Sequence, residues 1–179
     1  AIGFAARHES INDTFLACNG DVITGLDIGA LVKRHRDSGA AATIALTPVD
    51  NPGRYGVVPV DDNGRVLSFL EKPPVGKAPT NLVNAGTYVF EPSVLDRIPA
   101  GHPTSVEREI FPAMATDGIL FAMASDSYWV DAGTPASYLA ANLYLVDHPA
   151  GGIHPEARVD PTARVHGSIV GPGAVVAPG

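Results

Sequence analysis

One cysteine, Cys18, stands in 179 residues, so no internal disulfide can staple the chain and a disulfide-framed secreted scaffold is excluded. There is no basic run. Twelve Lys and Arg against 19 Asp and Glu leave a formal charge of −7, which argues against nucleic acid and anionic membrane as partners. No apolar stretch approaches the length of a membrane span, and the opening residues lack the layout of a signal peptide. The histidines show no H-E-x-x-H spacing, so a zinc site is not supported. What remains is a chain expected in the reducing cytoplasm, long enough for one full domain, or a domain with a small appendage, and for a buried core.

The residues that are present alternate between two periods. Phe15-Leu-Ala-Cys18 reads as a buried strand closing on the turn Asn19-Gly-Asp21, with Cys18 an inert core residue. Asp27 is placed to cap a helix over 28–38, with Ile28, Leu31, Val32 and His35 on one face and Gly39 at its end. Ala42-Thr-Ile-Ala-Leu46 follows as a strand, giving the strand, helix, strand order of an α/β sheet. Gly56 to Val60 and Arg65 to Leu70, joined through Asp62-Asn-Gly64, predict a hairpin that Pro73-Pro74 terminates. Further strands are expected over 83–90, 120–124 and 128–130. Thr104 with Glu107 predicts a capping box for a helix to about Met114. Thr134 and Pro135 open a helix to about Asp147, with Tyr138, Leu139, Asn142, Leu143 and Val146 on its inner side.

Beyond His148 the period becomes six. Ile153, Val159 and Val165 form one series; Ala157, Ala163, Ile169 and Val175 form another. Small or branched residues at a fixed hexapeptide phase are what a left-handed parallel β-helix requires. The sequence therefore divides into 1–148, the larger domain, and 149–179, the start of a β-helix. The first residue is Ala1, the opening segment reads as a helix interior, and the last residues stop within a repeat. These ends suggest a fragment of a longer protein.

Several polar residues fall where strands end, the place where α/β sheets collect ligands. Asp21 follows the first strand, and Asp131 follows Tyr128-Trp-Val130. Glu71 and Lys72 close the hairpin, and Asn84-Ala-Gly86 opens the next strand. Two carboxylates suit a hard divalent cation such as Mg²⁺, and Lys72 supplies a point charge for a phosphate. Each has a plainer reading too: Asp131 bracing the turn at Gly133, Glu71-Lys72 as a solvated hairpin end, Asn84 satisfying its own backbone in a bend.

Taken in order, these pieces resemble the sugar nucleotidyltransferases. The matching segments are Phe15-Leu-Ala-Cys-Asn-Gly-Asp21, Arg54-Tyr-Gly-Val-Val58, Asn63-Gly-Arg-Val66, Phe69-Leu-Glu-Lys-Pro73, Asn84-Ala-Gly-Thr-Tyr-Val-Phe90, Ser105-Val-Glu-Arg-Glu-Ile-Phe-Pro112 and Tyr128-Trp-Val-Asp-Ala-Gly-Thr-Pro135. The Ser105 segment and the hexapeptide tail look most like the mannose-1-phosphate guanylyltransferase branch. The resemblance implies a Rossmann-like mixed sheet, here lacking its first units, followed by the β-helix. It implies Asp21 and Asp131 as holders of Mg²⁺ and Lys72 as the ligand of the sugar phosphate. Glu71 and Asn84 would meet sugar hydroxyls, and Gly56, with Gly86, would let the backbone approach the sugar. The implied substrates are a sugar 1-phosphate and a nucleoside triphosphate, the expected pair being mannose 1-phosphate with GTP and the alternative glucose 1-phosphate with dTTP. The family's N-terminal Gly-rich phosphate loop is absent, so the 179-residue chain alone is expected to be inactive. A homo-oligomer is expected from the unfinished tail. Two other classes are weighed: a non-catalytic nucleotide-sugar sensor, against which the presence of Asp21, Lys72 and Asp131 counts, and acyl transfer on the β-helix through His154 or His166.

Overall fold

The computed structural model describes residues 2–74, 76–146 and 152–179. The chain divides into two compact units, Ala1–Trp129 and Val130–Gly179. The expected domain boundary at 148/149, and the expected helix end at Asp147, lie outside the described residues.

The first unit runs α1 (Ile2–His8), β1 (Phe15–Cys18), β2 (Val22–Thr24), α2 (Ile28–Ser38), β3 (Ala42–Pro48), β4 (Gly56–Val57), β5 (Leu70–Glu71), β6 (Leu82–Phe90), α3 (Phe111–Thr116) and β7 (Leu120–Ala124). A mixed sheet has the order β5-β4-β6-β3-β7, with β1 also paired to β6. β3 and β7 are parallel, and the other pairs are antiparallel. The two-residue period of β3 sorts the core. Ala42, Ile44 and Leu46 face Tyr88, Phe90, Phe111, Met114 and Leu120. Ala45 faces the other way, with Leu31 of α2 and Val89.

Local chemistry sets the ends of α2. Asp27 Oδ1 accepts from Ala30 N at 2.9 Å, and Gly39, at φ 61°, closes the helix by donating to Arg36 O. The hairpin turns at its Asn-Gly as expected, but regular pairing shrinks to Gly56–Val57 with Leu70–Glu71, Gly56 lying opposite Glu71, and between these strands and the turn Val60 and Val66 form an isolated bridge. Its tip folds against β7: Ala122 N donates to Gly64 O at 2.7 Å and Val66 N to Leu120 O at 2.9 Å. The tip thereby pairs backbone that the edge strand would otherwise leave open. Gly64 sits at φ 72°, and a Cβ there would stand 2.9 Å from Ala122 O.

Three expectations are corrected. Cys18 is exposed, not core, because β1 lies at the side of β6 where none of the described residues covers its outer positions; Leu16 is 45 % exposed. The helical cap at 104–107 moves by one residue. Ser105 Oγ accepts from Arg108 N at 3.2 Å and Glu109 Oε1 accepts from Ser105 N at 2.7 Å. Glu109, not Glu107, is therefore the reciprocal carboxylate, because a single π turn at Val106–Ile110 precedes α3. The helix after Thr134 does form, as α4 (Pro135–Val146), but Tyr138, Leu139 and Leu143 are exposed and only Ala141 is fully buried.

In the second unit β9 (Arg158–Val159) pairs in parallel with β10 (Val175–Val176), and Ile153 bridges Val170 in the same sense. Each partner lies seventeen residues on, one short of three hexapeptides. The phase consequently slips between Val165 and Val170. Val170 turns inward at 9 % exposure, whereas Ile169 and Val175 of the expected series point outward.

Candidate functional site

The candidate site is organised by an irregularity in β6. Its register against β3 runs Ile44 to Tyr88, then Leu46 to Asn84. Three residues, Ala85 to Thr87, therefore oppose Ala45 alone. In a regular strand residues four apart are separated by about 13 Å. The bulge shortens that path, and Asn84 Nδ2 donates to the Tyr88 hydroxyl at 2.8 Å. Gly86 makes it possible. Its φ is 72°, and a Cβ would lie 2.7 Å from Asn19 Nδ2. Three backbone groups of the bulge find partners: Ala85 O accepts from Trp129 Nε1 at 2.9 Å, Gly86 O from Asn19 N at 2.8 Å, and Gly86 N donates to Asn84 Oδ1 at 3.0 Å. The bend reading of Asn84 is thus correct as far as its oxygen goes.

Asn84 Nδ2 also donates to Glu107 Oε1 at 2.8 Å. Burial, and then the nearby Glu71 carboxylate, push the Glu107 carboxyl above its usual range, against the lowering pull of the Asn84 hydrogen bond and Lys72. Burial likewise pushes the Tyr88 phenol up, opposed by its bond from Asn84 and reinforced by Glu107 and Glu71. Two carboxylates therefore share a partly dry environment, with the Lys72 cation beside them. Tyr88 and Glu107 line a cavity of about 860 Å³ together with Cys18, Asn19, His102 and Arg108, a volume suited to a small polar ligand.

Glu71 and Lys72 stand at the open end of the hairpin. Lys72 Nζ lies 3.7 Å from Glu71 Oε1, and the lysine is 62 % exposed against 15 % for the glutamate. Lys72 has φ 48°, the one positive value outside glycine among the described residues. Such a conformation in a bulky residue is stored strain of the kind that gathers at ligand sites. Gly56 is required by packing: a Cβ there would stand 2.5 Å from the Phe69 ring and 3.2 Å from Glu71 Oε2. Glycine at this position therefore lets the Glu71 carboxylate lie against the backbone.

Asp21 is exposed, and among the described residues nothing hydrogen-bonds or ion-pairs its carboxylate. Asp131, at the end of β8 (Trp129–Asp131), accepts from Gly133 N at 2.9 Å through Oδ1. It braces its turn as the plainer reading has it, and Oδ2 keeps its lone pairs. The two aspartates belong to different units. Both offer the hard oxygen donors that Mg²⁺ takes, so the residue types fit the ion; no three such groups converge among the described residues. His154 and His166 are exposed, and His154 Nδ1 accepts from Glu156 N in a local turn. Sequence reading passed over Tyr88 and Glu107 as site residues. The spacing from Thr104 to Glu107 imitated a capping box, while Tyr88 looked like one more strand aromatic.

Fold and site together define an α/β protein whose bulged central strand and hairpin end gather a carboxylate pair, an amide and a strained lysine. Residues 1–148 match the model of the nucleotidyl transferase family, and the chain belongs to that family. It is 44 % identical over 137 residues to a mannose-1-phosphate guanylyltransferase of Mycobacterium tuberculosis, covering 75 % of this chain and 38 % of that protein. It is 41 % identical over 145 residues to the mannose-1-phosphate guanylyltransferase catalytic subunit beta of Dictyostelium discoideum, covering 79 % and 40 %. The chain thus spans about two fifths of the length of these relatives. Among solved structures, a Bacillus anthracis protein described as a glucose-1-phosphate thymidylyltransferase, in complex with sucrose, superposes with TM-score 0.70 at 25 % identity, over 84 % of this chain and 61 % of that one. A UTP-bound UGPase from Acinetobacter baumannii gives 0.68 at 27 % identity, over 83 % and 57 %.

Proposed function

We propose that this chain is the sugar-phosphate-binding part of an enzyme that transfers a guanylyl group from GTP to mannose 1-phosphate. The observation that carries the reading is the pairing of Glu71 with the strained Lys72 at the hairpin end, in a chain whose relatives bear the guanylyltransferase name. A phosphate oxygen of the sugar 1-phosphate attacks the α-phosphorus of the nucleotide, a new P–O bond forms, the bond to the β-phosphate bridge breaks, and pyrophosphate leaves. Little covalent chemistry falls to the protein, which positions two polyanions and offsets their charge. Lys72 holds the sugar phosphate as a point charge. Glu71 and Asn84 meet sugar hydroxyls, with Gly56 and Gly86 admitting the close backbone. Asp21 and Asp131 are the proposed holders of Mg²⁺, which when bound would polarise phosphoryl oxygens. Glucose 1-phosphate with dTTP is the second reading, favoured by the likeness to the Bacillus anthracis structure. The seventeen-residue parallel pairings in the tail support a β-helix beginning there, and with it a homo-oligomer. We place the protein in the cytoplasm.

The test is pyrophosphate release by the complete gene product with Mg²⁺ over a grid of nucleotides and sugar 1-phosphates. Turnover with GTP and mannose 1-phosphate, reduced about a hundredfold or more in Lys72→Ala and Asp131→Ala, is the expected result. Turnover with another pair would change the substrates and keep the mechanism. Silence from a folded, complete protein would overturn the enzyme reading in favour of a nucleotide-sugar sensor.

A further inference from the structure

Glu107 has no part in the roles given above, yet it holds one of them in place. An asparagine amide has two N–H donors and two lone pairs on its oxygen. In Asn84 both donors are spent, on the Tyr88 hydroxyl and on Glu107 Oε1, each at 2.8 Å. One lone pair receives Gly86 N at 3.0 Å. Turning the amide over would set its oxygen against the Glu107 carboxylate and its NH₂ against the Gly86 N–H. The Tyr88 hydroxyl can donate or accept and so imposes no direction. The carboxylate and the Gly86 N–H do, from opposite ends of the amide.

Glu107 is free for this because Glu109 has taken over the cap. The π turn at Val106–Ile110 puts Glu109 on Ser105 N, and Glu107 turns to β6 instead. π turns of this kind recur at functional sites. We propose that Glu107 is a positioning residue for the sugar end of the site: it locks the Asn84 amide in one orientation, so that Asn84 meets a sugar hydroxyl only as an acceptor. The proposal rests on the sugar-phosphate reading above. With Glu71 also an acceptor, this part of the site recognises hydroxyl groups as donors, and Lys72 addresses the phosphate.

The experiment is steady-state kinetics of the complete gene product with GTP and mannose 1-phosphate, on wild type, Glu107→Ala, Glu107→Gln, Asn84→Asp and the Asn84→Asp/Glu107→Gln double variant. Glu107→Ala is expected to raise KM for the sugar phosphate about tenfold while KM for GTP stays within about twofold. Glu107→Gln keeps an acceptor oxygen for Asn84 and restores the sugar KM. Asn84→Asp sets a carboxylate against Glu107 and raises the sugar KM; adding Glu107→Gln reverses the polarity of the bond and recovers it, a rescue that holds even if Glu107→Ala does not fold. An unchanged sugar KM in Glu107→Ala, equal changes in both KM values, or no recovery in the double variant would overturn the positioning role. A wild type without turnover on any pair would instead overturn the nucleotidyl-transfer reading, and the sugar role of Glu107 with it.

Discussion

His35 on one face of the sheet and Asn84 on the other are both buried polar side chains, but their partners leave different residues of charge. His35 is 1 % exposed, with Nδ1 2.9 Å from Thr43 Oγ1 and Nε2 2.9 Å from Glu91 Oε1. Thr14 Oγ1 adds a donor to the same carboxylate oxygen at 2.8 Å. The hydrogen bond from His35, followed by that from Thr14, holds the Glu91 carboxyl below its usual range. That network ties α2 to β3 and to the segments flanking β1 and β6, and its charge is stabilised within the fold. Around Asn84 the balance is opposite. Glu107 is pushed up by burial and by Glu71, so the folded protein carries there a charge its own partners do not fully compensate. A polar cluster that is satisfied internally is architecture; one left in electrostatic deficit beside a cavity is where a ligand is expected.

Removing His35 should break the first cluster outright. His35→Ala opens a cavity and strands the buried Thr43 hydroxyl, a loss of about 4 kcal/mol, read as a lower midpoint in urea unfolding with an unchanged slope. Gly86→Ala attacks the second through its backbone. An alanine at φ 72° pressed against Asn19 should lose about 2 kcal/mol, and under the proposed function the sugar-phosphate KM of the complete protein should rise with it, because the bulge that carries Asn84 is disturbed. Gly86→Ala matching wild type in both measurements would show that the bulge is incidental.

The difference between the clusters also marks how far the sequence could be read. The strands, α2 with its Asp27 cap, and the hairpin were legible because each is written in local chemistry: period, cap and turn residues. Glu71, Lys72 and Asn84, the proposed sugar-phosphate residues, stand out in the sequence only through the order of the motifs along the chain. Glu107 was not, since its partner lies 23 residues away and the two-residue bulge that joins them has no local signature beyond Gly86. The exposure of Cys18 is not legible because an apolar run does not reveal whether a strand is covered on both sides. The outward face of α4 and the one-residue slip after Val165 were hidden for the same reason, as both depend on what packs against the segment.

A smaller effect sharpens the contrast at low pH. Glu91 has a lowered folded pKa, so its contribution to stability is complete above the ordinary carboxylate range and is lost as the pH falls through the folded value. Glu91→Gln should therefore cost about 1 kcal/mol at neutral pH, kept small because the side chain is 39 % exposed. It should also flatten the acid limb of a stability-against-pH curve. An unchanged acid limb would remove Glu91 from the pH dependence.

Glu107 gives the smallest effect and the opposite sign. Its folded pKa is raised, so the folded state holds the proton more tightly than the unfolded chain, and stability declines as the pH rises from the ordinary carboxylate range to the folded value. Glu107→Gln removes that decline. At neutral pH the variant should be as stable as wild type or more stable by up to about 1 kcal/mol, since a desolvated charge facing Glu71 is gone while the bond to Asn84 is kept. Below the ordinary range the two proteins should converge. Urea unfolding at three pH values measures this directly, and a Glu107→Gln protein that is less stable at neutral pH would mean that Lys72 and Arg108 compensate the carboxylate after all, placing Glu107 with Glu91 among the groups the fold itself uses.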